Sequence, residues 1–244
     1  MKIPVKITPD RIRDSIVQVY FQAGIPFEPL IGIFYTALTN AGWKYANRSQ
    51  SQVPQKGMVI ELSAGRQHFF IKDQVRLQLF PNQSLAFNCI NNYIGWQKYK
   101  TYIDSVFAEL SKTEYFRNYL RIGIRYISEF ANIDILEKIN FKVEISFNDE
   151  SVSNSSYRLT FEKDNIFKTI NIASKLPVNA ILTDQKESLI FTSILDVDIV
   201  QKKLNCKNVN ELLVNIEHLH AIEKETFFRL LTDEFLQTLN PEYA

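Results

Sequence analysis

The chain has 244 residues, a formal net charge of +1, 45% hydrophobic and 23% charged residues, and only 7 Gly and 8 Pro. That balance excludes a disordered or collagen-like polypeptide and suffices to bury a substantial core. The two cysteines, Cys89 and Cys206, are far apart and outside any CxxC or Cys/His spacing, which excludes a disulfide framework and a structural zinc knuckle. The opening MKIPVKITPD has no apolar signal core and no long apolar run follows, so the expected location is cytoplasmic, with no membrane partner.

In chain order, RIRDSIVQVYFQ (11–22) alternates β-branched and aromatic residues as a strand does. Pro26 and Pro29 then open a helix with an apolar face of Leu30, Ile31, Phe34, Leu38 and Ala41, which Gly42 is placed to end. The runs MVIEL, HFFIK, VRLQLF and SLAFNCI, separated by turn-like breaks, predict a meander of antiparallel strands. Trp96, Tyr99, Ile103, Val106, Phe107 and Leu110 recur at helical spacing and predict a second helix over about 95–110.

The run YLRIGIRYISEF (119–130) predicts a strand with Ile122, Ile124 and Tyr126 on one face and Arg121, Gly123 and Arg125 on the other. A short helical piece at 133–139 and strands at FKVEISF (141–147), SYRLTFE (156–162), around 167–172 and at SLIFTSILDVDI (188–199) follow. Asn208 with Glu211 resembles a capping box at the start of a long amphipathic helix, whose stripe is Leu212, Leu213, Ile216, Leu219, Phe227 and Leu230; a short helix from Thr232–Asp233 closes the chain. The fold class is α+β, antiparallel sheets with packed helices. Strand–helix–strands–helix occurs twice, which suggests a duplicated β-α-β-β-β-β-α unit, with halves at 1–116 and 117–244; one continuous sheet gives the same order.

Charge is unevenly spread. Residues 1–130 hold 16 Lys/Arg against 9 Asp/Glu, giving +7, and residues 131–244 hold 12 against 18, giving −6. Such an asymmetry can steer one half onto the other or onto a second copy, although scattered surface charge has the same signature.

No GxSxG, Walker loop, GxGxxG or HExxH is present, so no catalytic signature and no cofactor are expected. Asp196 and Asp198, two apart on a strand, share a face and are the candidate ligands for a hard divalent cation, with Glu144 or Glu162 available to complete the set; solvated acids near a strand end are the plainer explanation. Arg121 and Arg125 flank Gly123 and suit a phosphate or carboxylate, and with Tyr93, Trp96 and Tyr99 nearby in sequence they suggest a nucleic-acid surface. Their plainer role is pairing with the acidic second half. His218 and His220 point in different directions on their helix and cannot share a metal, but His220 can pair with Glu217 or Glu223 and titrate near neutral pH.

Several landmarks together carry a resemblance: the opening strand and helix, Val75–Phe80 leading to Leu85–Asn88, the Trp96/Tyr99 helix start, LRIGIRYI at 120–127, the strand ending LDVDI, and LHAIEKETFFRLLTDEFLQTLNP near the end. Over nearly its whole length the chain resembles a sporadically distributed family of bacterial proteins of this size and of unknown function. The resemblance implies a cytoplasmic bacterial protein of an accessory locus, of the defence or toxin–antitoxin type. Arg121, Arg125, Tyr126, Asp196, Asp198 and His220 match the family's landmarks and are the candidate site residues. The expected function is a non-enzymatic binding or regulatory protein with a protein partner or a second copy of itself. A divalent-metal nuclease or phosphoesterase built on Asp196 and Asp198, or an RNA-binding protein, is the alternative.

Overall fold

A computed structural model describes residues 2–48, 67–116, 118–142, 152–178, 191–204 and 206–243. The order is β1 (Ile12–Gln22), α1 (Phe27–Asn40), β2 (Lys44–Arg48), β3 (Gln67–Lys72), β4 (Val75–Phe80), β5 (Ser84–Cys89), α2 (Trp96–Leu110), β6 (Asn118–Ala131), a 3₁₀ turn (Ile135–Glu137), β7 (Ser155–Lys163), β8 (Ile166–Pro177), β9 (Phe191–Gln201), α3 (Val209–Leu230) and α4 (Asp233–Thr238). Among the described residues the fold is α+β: nine antiparallel strands form one sheet in the order β2-β3-β4-β5-β1-β6-β9-β8-β7, with four helices. The strand expected at MVIEL and most of that expected at FKVEISF lie outside the described residues.

The chain divides into two compact units that interleave along the sequence: residues 16–122 with 202–216, and residues 1–15 with 123–201 and 217–244. In the first, β3, β4 and β5 form the expected meander, with Lys72 opposite Val75 across a tight turn in which Asp73 takes φ +50°. Val17, Val19 and Phe21 of β1 point into the core, as their period-two spacing requires. Phe21, Phe34, Phe70 and Phe116 form the aromatic centre of this core: the Phe34 ring meets Phe116 edge-on at 5.1 Å, and Phe21 lies 4.9 Å from Phe116. Gly42 and Gly95, at φ +83° and +81°, end α1 and begin α2, conformations that a side chain would resist.

The second unit is built on β8, which pairs with β7 on one side and β9 on the other. The β7–β8 hairpin turns on Asp164 and Asn165, both at positive φ, the geometry of a type I′ turn. Ile170, Ile172 and Leu195 pack with Phe130, Ile135, Ile139, Phe228, Leu231 and Leu236 into a continuous apolar cluster. Upstream, α3 starts at Asn208, whose side-chain oxygen accepts the Glu211 N–H at 2.9 Å, while the Glu211 carboxylate accepts the Lys207 N–H at 3.2 Å. Among the described residues no helix is long and apolar enough to cross a membrane.

Candidate functional site

β8 runs antiparallel to β9 with Asn171 opposite Asp196 and Thr169 opposite Asp198. Ile170 and Ile172 are turned into the core beside Val197 and Leu195, so Asn171, Asp196 and Asp198 project from the other face of the sheet. Here Arg125 binds Asp196 through two parallel bonds, Nε to Oδ1 at 2.8 Å and Nη2 to Oδ2 at 2.6 Å, and Asn171 Nδ2 donates to Oδ2 at 2.9 Å. The bond to Asp196 is the main reason that the guanidinium is held protonated above its ordinary range, with Asp198 and Asp14 adding to the effect.

Both Asp196 oxygens are therefore occupied by donors. Glu162 lies on β7, opposite Phe167, with β8 between it and β9, so it does not stand beside Asp196 and Asp198. Glu144 lies outside the described residues. Among the described residues, no three of His, Cys, Asp and Glu come together in the way a cation requires. The Asp196 side chain is 7% exposed against 36% for Arg125, so this pair is half-sheltered rather than fully buried. Asp196→Ala strands the guanidinium and the Asn171 amide without their acceptor and should cost about 2 kcal/mol, read as a lower denaturant midpoint; an unchanged midpoint would deny the pair a structural role.

The other candidates separate. Arg121 stacks over Tyr20 at 4.9 Å, and its Nε is buried with no hydrogen-bond partner. A Cβ on Gly123 would meet Val200 Cγ2 at 3.7 Å, an ordinary contact, so no crowding demands glycine there. Trp96 and Tyr99 are buried in the core, where they cannot stack on bases.

Tyr126 and His220 lie on the core side, their rings meeting at 5.9 Å. His220 is 8% exposed, and burial, helped by Lys224, pushes its pKa down to about 3. The expectation of a near-neutral titration is corrected by this: the imidazole stays neutral because water is excluded. Glu223, one turn on and 2% exposed, is driven the opposite way, its pKa raised well above the carboxylate range by burial. The sequence carried a signal for this residue, since the apolar stripe of α3 runs from Leu219 to Phe227 with His220 and Glu223 filling the inward positions between them.

A groove of about 600 Å³ lies beside the C-terminal half of α3, against the tip of the β7–β8 hairpin. Phe161, Ile166, Ile170, Ile222 and Leu230 give it apolar walls, and Lys163, Lys168 and Arg229 line it with positive charge, with Asp164 as the one acid in the lining. Phe161 is 54% exposed, an aromatic ring left on the surface. Of these residues only Leu230 was named from the sequence, as part of the apolar stripe of α3; the clue to the rest was an aromatic and two lysines around a Lys-Asp-Asn turn, a pattern that many hairpins share. No family model, curated protein or solved structure matches the chain.

Proposed function

We propose that this is a non-enzymatic binding protein that docks a protein partner through the groove beside α3. The observation that carries this reading is the groove itself: an exposed aromatic and several aliphatic side chains, gathered in one concave strip and bordered by cations. An apolar strip rimmed by charged side chains is the form that a protein-interaction site takes. The titratable groups that invite a catalytic reading are engaged elsewhere. Asp196 is tied to Arg125 and Asn171, and His220 and Glu223 are shut into the core.

A regulatory role in an accessory bacterial locus and self-association through the opposed charges of the two sequence halves belong to the same proposal. So does descent from a duplicated β-α-β-β-β-β-α unit. In support, β1 and β6 each lie beside the last strand of the meander that follows, β5 and β9 respectively.

The test is a photo-reactive side chain at Ile222 compared with one at Arg158, which is exposed and opposite Asn171 on the β7–β8 hairpin. Irradiation in the source cells should give an adduct with a second polypeptide from position 222 and none from 158. Equal yields from both, or no adduct at 222, would overturn the reading.

A further inference from the structure

Resting on that binding reading, we infer that the groove takes an acidic amphipathic helix of a partner protein. The first support is geometric. Four described strands, β6, β9, β8 and β7, belong wholly or mostly to the second unit. At roughly 4.8 Å per strand step they make a surface about 14 Å across between the outer strands, whereas a helix with its side chains is about 10–12 Å wide. Tyr126 of β6 meets His220 of α3, so α3 covers the β6 side, and the tip of the β7–β8 hairpin is left with Phe161 exposed and Ile166 half-exposed. The first unit, faced with five strands, uses two helices in mutual contact, α1 and α2, each burying an apolar face. In the second unit α3 and the short α4 pack over Ile170, Ile172 and Leu195, and the strip that one more helix would cover is the hairpin tip with Phe161, outside that cluster.

The second support is the arrangement of the walls. His218, Ile222, Thr226 and Arg229 succeed one another at helical steps along one flank of α3, opposite Phe161, Lys163, Ile166 and Lys168 on the hairpin. A visiting helix lying along α3 would place apolar residues at i, i+3, i+4 and i+7 on Phe161, Ile166, Ile222 and Leu230, as helix-in-groove recognition does. Its flanking positions would then face Lys163 and Lys168 on one wall and Arg229 on the other.

Those three cations decide the charge of the visitor, since Asp164 is the sole acid of the lining. Arg229 already pairs with Glu225 one turn away, but both are well exposed, and a pair of that kind exchanges readily for another carboxylate. Cations on both walls suit a two-edged acidic helix better than a fatty acid, whose single carboxylate would meet one wall only.

The probe is a fluorescein-labelled peptide of about 18 residues, five helical turns, with Leu at i, i+3, i+4 and i+7 and Glu on the flanks. It is compared with a scrambled peptide of the same composition and a version with Lys in place of Glu, all titrated with the full chain by fluorescence anisotropy. The acidic amphipathic peptide should bind in the micromolar range and weaken with salt. The other two should bind at least tenfold more weakly. Lys163→Glu with Lys168→Glu, and separately Phe161→Ala, should each weaken binding about tenfold or more at unchanged circular dichroism.

Binding equal to that of the scrambled peptide, indifference to these variants, or displacement by laurate would overturn the inference. An adduct from position 222 together with a silent acidic peptide would discard the acidic helix while leaving the groove as the docking surface. No adduct would discard the groove itself.

Discussion

Phe34→Ala should lower the stability of the first unit by about 3–5 kcal/mol, the largest single-residue loss expected here. Phe34 is fully buried on α1, where its ring contacts Phe21, Phe70 and Phe116. Truncation removes a ring from the point where α1, two strands and the segment after α2 converge, and none of the three neighbouring rings can swing in without leaving its own packing. The substitution therefore loses the transfer free energy of the ring and leaves a cavity as well. Urea titration followed by aromatic fluorescence checks this. A loss below about 1 kcal/mol would mean that the cluster collapses freely into the gap.

The second large effect is a dependence on pH set by two neighbours on α3. His220 has its pKa lowered from 6.5 to about 3, so the folded state resists the proton that the unfolded chain accepts. Its contribution to stability is complete above about 6.5 and is lost as pH falls towards 3. A displacement of that size corresponds to about 5 kcal/mol across the full range.

Glu223 works in the other window. Its pKa is raised above 4.5, so the folded state keeps the carboxyl protonated while the unfolded chain ionises. Stability is highest below 4.5 and declines as pH rises towards the folded value. His220→Leu should flatten the acid limb of a stability–pH curve, and Glu223→Gln should flatten the decline that sets in above about 4.5, giving little at pH 4 and progressively more above it. Changes in packing would shift either curve as a whole. A variant curve parallel to the native one would show that the residue is solvated, contrary to its burial.

These two residues also show where sequence reading stops. Local pattern was sufficient for β1, α1, α2, the β3–β5 meander, β6 and the Asn208 start of α3, because alternation, helical spacing and caps are properties of adjacent residues. β2 escaped it, since Lys44–Arg48 is too short and polar to alternate. The strand order was equally hidden, because placing β6 between β1 and β9 depends on partners far apart in the chain.

At the candidate site, the shared face of Asp196 and Asp198 was legible, as was the general tendency of Arg125 to seek an acid. The particular bond to Asp196, 71 positions away, was not. His220 was misread because polar residues on an amphipathic helix are normally wet, and only the tertiary packing shows that this one is turned inward. The groove could not be foreseen at all. Its walls come from two elements about 50 residues apart in sequence, and its significance lies in which apolar residues remain uncovered.

The groove, and not the Arg125–Asp196 cluster, is proposed as the working surface. Ile222→Glu puts a charge into the groove at a half-exposed position, where folding can tolerate it, and Arg158→Glu makes the same kind of change on the opposite face. Sedimentation of the native protein in extract of the source cells should show a complex heavier than the 28.4 kDa chain. Arg158→Glu should keep that complex, and Ile222→Glu should reduce it to the single chain with its thermal midpoint preserved. A complex that survives Ile222→Glu intact would contradict that proposal.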